Sequence, residues 1–264
     1  MKKQKTRQDA LDKRLLARNG KKLNTVISAL LADNELDALL ELANIVSIKR
    51  LGFNDHGRVH ARIVALNALT LLDLIHAKTK TSLEEEGIGD FEDSQVVAVV
   101  AGFVHDVGMS TGRYEHEMHG LVLLHDIVMR ILTTHYEPAK ARVMHAMIQE
   151  AVAGHMGTRP ITSIEGGVVP IADGCDITKG RSRIPLRLSE QAHKADIHEF
   201  SANAIQSVSI EGGREKAIHI TAIMDNPAGL FQIEQILLPK IKVTPLKNDV
   251  RVLARIGKKT YTYL

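Results

Sequence analysis

The chain has 264 residues, 44% of them hydrophobic, which is enough for a sizeable core and for two domains. A single cysteine excludes a disulfide framework and a cysteine-rich zinc module, and the lack of tryptophan weakens any function that depends on stacking nucleic acid bases. The net charge is only +3, no signal peptide is recognisable, and no uncharged apolar run reaches the roughly 18 residues of a spanning helix. We therefore expect a cytoplasmic protein with no membrane partner.

Charge is unevenly distributed along the chain. Residues 1–22 contain nine Lys or Arg against two Asp, a net charge of +7, which leaves −4 for the remaining residues. A basic segment of this kind can recruit nucleic acid or acidic lipid. We favour a basic N-terminal arm over 1–22 that is solvated and frayed, and a nucleic acid partner is the weaker alternative.

Apolar residues at intervals of three and four predict a chain that is nearly all helical from residue 23 to about 190. Ser94 is the expected N-cap of an apolar helix, and Pro170 is expected where the last helix begins. A helical bundle over 23–195 is therefore expected. The predicted helices cover 22–50, 57–78, 95–105, 115–134, 138–152 and 168–177, with a polar loop over 79–93.

The sequence pattern changes after residue 200. Alternating or β-rich runs predict strands over 206–210, 217–224 and 249–256, and a helix that Asn226 caps. We therefore predict a mostly α protein whose bundle is followed by a small C-terminal α/β domain over 200–264. The turn from strand to helix near Asn226 resembles that of ACT-type ligand-sensing domains, which would suit regulation or dimerisation.

An adjacent pair, His105 and Asp106, ends the apolar helix in the sequence Phe-Val-His-Asp-Val-Gly. Neighbouring residues of a helix point about 100° apart, so both side chains can face one centre most easily where the helix ends. Neutral imidazole and carboxylate suit divalent ions such as iron, manganese, zinc or nickel. Further groups of these two kinds lie on both sides of the pair: His60, His116, His119, His155, Asp173 and Asp176.

The order His … His-Asp … Asp on helices resembles the HD-domain superfamily of metal-dependent phosphohydrolases, over about residues 50–185. The resemblance implies that His60, His105, Asp106 and Asp173 hold one divalent ion, which is Fe, Mn, Zn, Ni or Mg. It also implies that His105 and Asp106 are the catalytic residues.

A second ion is implied by His116 and His155, which match positions where dinuclear members of the superfamily place further ligands. Asp106 would then bridge the two ions. Three residues are expected in contact with the ligands or the substrate rather than with an ion: His56, one helical turn before His60, together with His119 and Asp176.

Substrate binding is expected from Lys179, Arg181 and Arg183, which follow the last ligand, because guanidinium groups match phosphate oxygens. A second His-Asp pair, His125 and Asp126, lies inside a predicted helix without a following glycine. We interpret that pair as ordinary helix surface or the edge of the core.

The resemblance implies hydrolysis of a phosphate ester or phosphoanhydride in a nucleotide or another small phosphorylated compound, with water that the metal activates. The chain lacks the Gly-Tyr-Pro signature of the cyclic-dinucleotide phosphodiesterases, so that substrate is not favoured. Two alternatives stay open: a non-catalytic metal-binding regulator or sensor, and a di-iron oxygenase of the same superfamily. A homo-oligomer also stays open.

Overall fold

A computed structural model describes residues 2–178 and 197–264, and it confirms a mostly α protein with a small C-terminal α/β part. The strands are β1 (Ile205–Gly212), β2 (Ile218–Met224), β3 (Val250–Ile256) and β4 (Lys259–Tyr263). The helices are α1 (Lys2–Leu16), α2 (Lys21–Ala32), α3 (Asn34–Asn44), α4 (Arg58–His76), α5 (Ser82–Glu85), α6 (Phe91–Val104), α7 (His116–Leu132), α8 (Pro138–Gly154), α9 (Ile164–Gly174), α10 (Ile197–Asn203), α11 (Leu230–Gln232) and α12 (Leu238–Lys242).

Helices α4 and α6 form the centre of the helical part. Every residue of α6 from Asp93 to Val104 is buried, so this helix is surrounded by other elements. A Cβ atom on Gly102 would lie 3.0 Å from Cα of Ala65, which means that the two helices approach backbone to backbone. The core is aliphatic, as a chain without tryptophan requires. Because α6 is locked in this core, the residues that follow it are placed with little freedom.

Within the described residues, α4 is the one helix long and apolar enough to cross a membrane by length and composition. Its most apolar 18-residue window has a mean hydropathy of 1.3, and 67% of that window is buried inside the protein. Packing in the core therefore accounts for its composition.

The sheet has the strand order β1-β2-β3-β4. The pairs β1–β2 and β3–β4 are antiparallel, whereas β2 and β3 are parallel and are joined by the helical segment that includes α11 and α12. Asn226 caps the start of this segment by accepting from the Ala228 N–H at 3.0 Å, as expected. Pro239 cannot donate a backbone hydrogen bond, and the turns just before it, Ile233–Leu237, are π-helical. One hydrophobic cluster contains residues of both the helices and the sheet.

The N-terminal segment differs from the expected frayed arm. Residues of α1 pack against α4, and Leu11 and Leu15 are buried there. Asp12 forms an ion pair with Arg62, whose guanidinium also lies over the Phe103 ring at 5.1 Å from its centroid. Two leucines four residues apart therefore hold the basic segment against the rest of the protein. The prediction of a frayed arm rested on net charge and did not consider this apolar spacing.

Several helix boundaries also differ from the expectation. The helix predicted over 22–50 breaks at Asp33, whose side chain accepts from the Leu36 N–H at 2.9 Å and so caps α3. The cap of α6 is Asp90, and Ser94 lies inside that helix, where it donates to Glu165 at 2.7 Å. Helix α9 begins after its cap Ser163, so Pro170 lies inside the helix instead of at its start. The short helix α5 and strand β4 were not predicted.

Replacement of Leu15 by Ala tests whether α1 is part of the folded body. Leu15 is 0% exposed, so the change should lower the free energy of unfolding by about 2–4 kcal/mol through lost burial and a residual cavity. Its neighbour Leu16 is 43% exposed, and Leu16→Ala should change stability by less than about 0.5 kcal/mol. Urea unfolding followed by circular dichroism measures both. Equal small effects would mean that α1 is frayed in solution.

Candidate metal centre

Five segments of the helical part bring six side chains to one buried point. The first turn of α4 supplies one ligand candidate, the chain just after α6 supplies two, and the start of α7, the end of α8 and the last turn of α9 supply one each. All six are at most 5% exposed. They are His60, His105, Asp106, His116, His155 and Asp173.

One group of donor atoms surrounds the Oδ2 atom of Asp106. The Nε2 atoms of His60 and His105 each lie 3.2 Å from this oxygen, and they lie 3.2 Å from each other. Oδ1 of Asp173 is 3.1 Å from His60 Nε2 and 3.9 Å from His105 Nε2. These are the four residues expected to hold the first ion, and three of them, His60, His105 and Asp106, form a cluster that could hold a metal.

A second group surrounds the other oxygen of the same carboxylate. Oδ1 of Asp106 lies 3.3 Å from His116 Nε2 and 3.4 Å from His155 Nε2, and the two imidazole nitrogens are 3.1 Å apart. Asp106, His116 and His155 form a second cluster that could hold a metal. Asp106 therefore offers one oxygen to each group, which is the arrangement that a bridging ligand needs.

The spacing of the donors fits divalent ions. Ligand atoms at neighbouring corners of an octahedron are about 3.0 Å apart when each bond is about 2.1 Å long. The donor separations within the two clusters run from 3.1 Å between His116 and His155 to 3.4 Å between His155 and Asp106. Modest contraction around an ion would therefore complete either group.

The orientation of the imidazoles also fits metal binding. Nδ1 of His105 lies 2.9 Å from the Gly102 carbonyl oxygen, and Nδ1 of His155 lies 2.7 Å from that of Val152. Nδ1 of His116 is 3.0 Å from the Arg113 carbonyl oxygen. A carbonyl oxygen can only accept, so the hydrogen of a neutral ring is on Nδ1 and the Nε2 lone pair faces the centre. Lone pairs that face one another need a cation between them, either a metal ion or a proton.

Burial and the central carboxylate shift the pKa values of the group. Burial lowers the pKa of His155 to about 4, so this ring is neutral at pH 7. Burial acts in the same direction on His116, but its contact with Asp106 raises its pKa overall. Burial alone would raise the pKa of Asp106, and the facing His105 and His56 hold it well below its usual range instead. The carboxylate is thus ionised, as a metal ligand must be.

The three residues expected beside the ligands have different positions. Asp176 accepts from His60 Nδ1 at 2.7 Å and so orients that ring. The expectation that His56 lies one turn earlier on the same helix is wrong, because α4 begins at Arg58; its ring nevertheless lies 5.9 Å from that of His60. His119 is exposed, and its Nδ1 lies 2.9 Å from Thr111 Oγ1.

The expected substrate-binding residues Lys179, Arg181 and Arg183 lie outside the described residues. The second His-Asp pair is separate from the centre: His125 packs against the His145 ring at 4.9 Å between centroids, and Asp126 is exposed.

Gly108 determines how α7 approaches the centre. A Cβ atom at this position would overlap the carbonyl oxygen of His116 and would lie 2.6 Å from the backbone nitrogen of Gly120. The first turn of α7 can therefore contact the chain after Asp106 only because residue 108 has no side chain. Glu115, just before the helix, has a left-handed backbone (φ 48°) that starts α7 at His116. The glycine after His-Asp was noted in the sequence, but its partner was not.

Sequence reasoning missed Lys240, which reaches the centre from α12. Its ammonium group forms an ion pair with Oδ2 of Asp173, and the residue is only 6% exposed. One signal was present. Lys240 lies three residues after the buried Leu237 and next to the buried Ile241, so it belongs to the apolar face of its helix.

Replacement of Asp106 by Ala tests the bridging arrangement. Because each carboxylate oxygen serves one donor group, the variant should lose both ions, whereas His155→Ala should lose only one. Asp126→Ala is the matched control, since Asp126 follows a histidine but is exposed on α7. Elemental analysis of the purified proteins gives the metal content per chain. Full metal content in the Asp106 variant would contradict the assignment.

Replacement of Gly108 by Ala tests the contact between α7 and the chain after Asp106. Because backbone atoms must move to admit the methyl group, we expect a loss of about 2–4 kcal/mol in unfolding free energy and weaker metal binding. Gly120→Ala is the control on the facing element, where a Cβ would be in ordinary contact, 3.5 Å from the Gly108 nitrogen. Thermal unfolding and metal titration compare the two. Equal behaviour would mean that the close approach is not required.

The chain is similar to the uncharacterized protein MJ1020 of Methanocaldococcus jannaschii, with 40% identity over 234 residues that cover 88% of this chain and 89% of the relative. No protein-family model matches the chain, and no solved structure matches it. The name of this relative assigns no activity. Identity at this level over nearly the full length of both proteins shows common descent, and the chain belongs to the same family as MJ1020.

Proposed function

We propose that this protein is a metal-dependent phosphohydrolase of the HD-domain superfamily, acting in the cytoplasm. One observation carries the proposal: the two oxygens of Asp106 face two separate groups of imidazoles, with Asp173 beside the first group. Two adjacent divalent ions in such a frame are a common means of hydrolysing phosphate esters, since both the attacking and the leaving oxygen can be stabilised. The His … His-Asp … Asp order of the ligands agrees with the resemblance.

The chain's own residues would perform three tasks. Neutral imidazoles of His60, His105, His116 and His155 would hold the ions without cancelling their charge, which preserves attraction for an anion. Asp106 would keep the ions at a constant separation. Bound divalent ions would supply Lewis acidity and lower the pKa of the attacking water.

The proposed substrate is a nucleotide or another small phosphorylated compound. Support comes from the cationic side chains near the ligands. Lys240 lies inside the centre, and Arg113, whose carbonyl orients His116, is exposed with its guanidinium 5.5 Å from the Phe53 ring centroid. Lys179, Arg181 and Arg183 stay predictions as phosphate ligands. Cationic groups at the centre favour a charged phosphoryl group over a neutral substrate.

A panel of phosphorylated compounds tests the proposal. Protein reconstituted with Mn²⁺, Fe²⁺, Zn²⁺, Ni²⁺ or Mg²⁺ should release phosphate or a shorter phosphate ester from at least one compound, at a rate that Asp106→Ala lowers by about 10³-fold or more. Asp126→Ala should retain the wild-type rate. Oxygen uptake, measured in parallel on the iron-loaded protein, identifies the oxygenase alternative. Metal binding without turnover of any compound would favour the regulator and contradict the proposal.

A further inference from the structure

A lysine from the C-terminal part is built into the metal centre. The stem of Lys240 is buried, and its ammonium group pairs with Oδ2 of Asp173, while Oδ1 of the same carboxylate faces His60 Nε2 at 3.1 Å. The two oxygens of Asp173 thus serve two different cations when an ion is bound: the ion at Oδ1 and the ammonium at Oδ2. A buried lysine is uncommon because the desolvation of an ammonium group is costly.

Two glycines next to the ligands allow the helical segment that carries this lysine to approach closely. Gly174 follows Asp173, and a Cβ there would lie 2.9 Å from Leu237 Cδ1 and 3.5 Å from Lys240 Cδ. Gly157 lies two residues after His155, and a Cβ there would lie 3.2 Å from Lys240 Cα. Both ligand-bearing motifs, Gly-His155-Met-Gly and Ala-Asp173-Gly, therefore contain a glycine against which the helix carrying Lys240 packs. A backbone hydrogen bond from Ile161 N to Val243 O, 2.9 Å long, holds the end of that helix beside α8.

The charge of Lys240 changes what the centre can bind. Asp173 alone would neutralise one of the positive charges of a bound ion. Because the ammonium group already compensates this carboxylate, the centre is more positive by one unit than its ligands alone would make it. In a buried site such a charge is weakly screened, so it favours an anionic occupant beside the ion. It also opposes the binding of the ion itself.

We propose that Lys240 is a specificity-determining residue that selects an anionic phosphoryl group at the ion held by His60, His105, Asp106 and Asp173. The choice of a phosphoryl group as the ligand rests on the proposed function. Lys240 pairs with Asp173 and adds positive charge beside the ion, where phosphoryl oxygens would bind. The C-terminal part thereby contributes a side chain to the centre.

Lys240→Met nearly keeps the length of the side chain and removes its charge. We expect this variant to bind phosphate more weakly without binding Mn²⁺ more weakly. Calorimetric titration of the Mn²⁺-loaded protein with inorganic phosphate should show a dissociation constant at least about tenfold higher, the size expected for one lost charge-assisted contact. Titration of the metal-free protein with Mn²⁺ should show affinity that is unchanged or tighter, because repulsion of the ion is removed. A purely structural lysine would weaken both affinities together.

Three further variants complete the test. Lys240→Arg retains the charge and should bind phosphate more tightly than Lys240→Met. Lys240→Gln also removes the charge, so its phosphate affinity should equal that of Lys240→Met, and it replaces Lys240→Met if that variant unfolds. Lys242→Met removes an exposed lysine from the same helix and should behave as wild type. Phosphate affinity within about threefold of wild type in both neutral variants, or parallel loss of Mn²⁺ and phosphate binding, would overturn the proposal. Phosphate binding requires no turnover, so a substrate panel without hydrolysis would refute the proposed function and leave this result standing.

Discussion

A buried carboxylate must be compensated at both of its oxygens, and Asp106 stands between two pairs of imidazoles that could hold a cation at each oxygen. The arrangement is possible because α6 is locked in the core along its length and ends one residue before His105. Side chains that would diverge by about 100° inside a helix can both turn inward once the helix has ended. The contact of Gly108 with the first turn of α7 then brings His116 to the same point. The metal centre therefore depends more on where the core places the end of α6 than on the His105-Asp106 pair itself.

One local device orients three of the four imidazoles. His105, His116 and His155 each hold a carbonyl oxygen three residues earlier in the chain, those of Gly102, Arg113 and Val152. The carbonyls of Gly102 and Val152 lie in the last turns of α6 and α8, where they lack intrahelical partners, so a histidine just past the last turn can use one of them and present its other nitrogen inward. The carbonyl of Arg113 lies in the segment just before α7. These hydrogen bonds are local in the sequence and need no residue from a distant part of the chain. For His60, in the first turn of α4, the side chain of Asp176 takes this role, 116 residues away in the sequence.

Local patterns in the sequence sufficed for the class of fold and for the candidate ligands, because the ligands lie in short motifs at helix ends. Competition between neighbouring residues was harder to judge: Asp90 caps α6 although Ser94 is an equally good cap by type, and the side chain of Ser94 is used by Glu165 from another helix. Pro170 was expected to begin a helix, but Ser163 caps its start about two turns earlier. Lys240 could not be assigned a partner, because 67 residues separate it from Asp173 and nothing local marks the pair.

Lys240 also bears on how the chain is divided. The residue pattern predicts a helical domain followed by a small α/β domain or subdomain. The hydrophobic cluster is continuous between the two parts, and an ion pair of two buried residues crosses the boundary. Breaking a buried ion pair leaves an uncompensated charge, which is far more costly than losing an exposed pair. Gly157 and Gly174 lie in the helical part, and both pack against the helical segment of the C-terminal part that carries Lys240. The two parts therefore complete one centre, so a ligand or contact that displaced α12 would act on Asp173 directly, through the lysine that holds it.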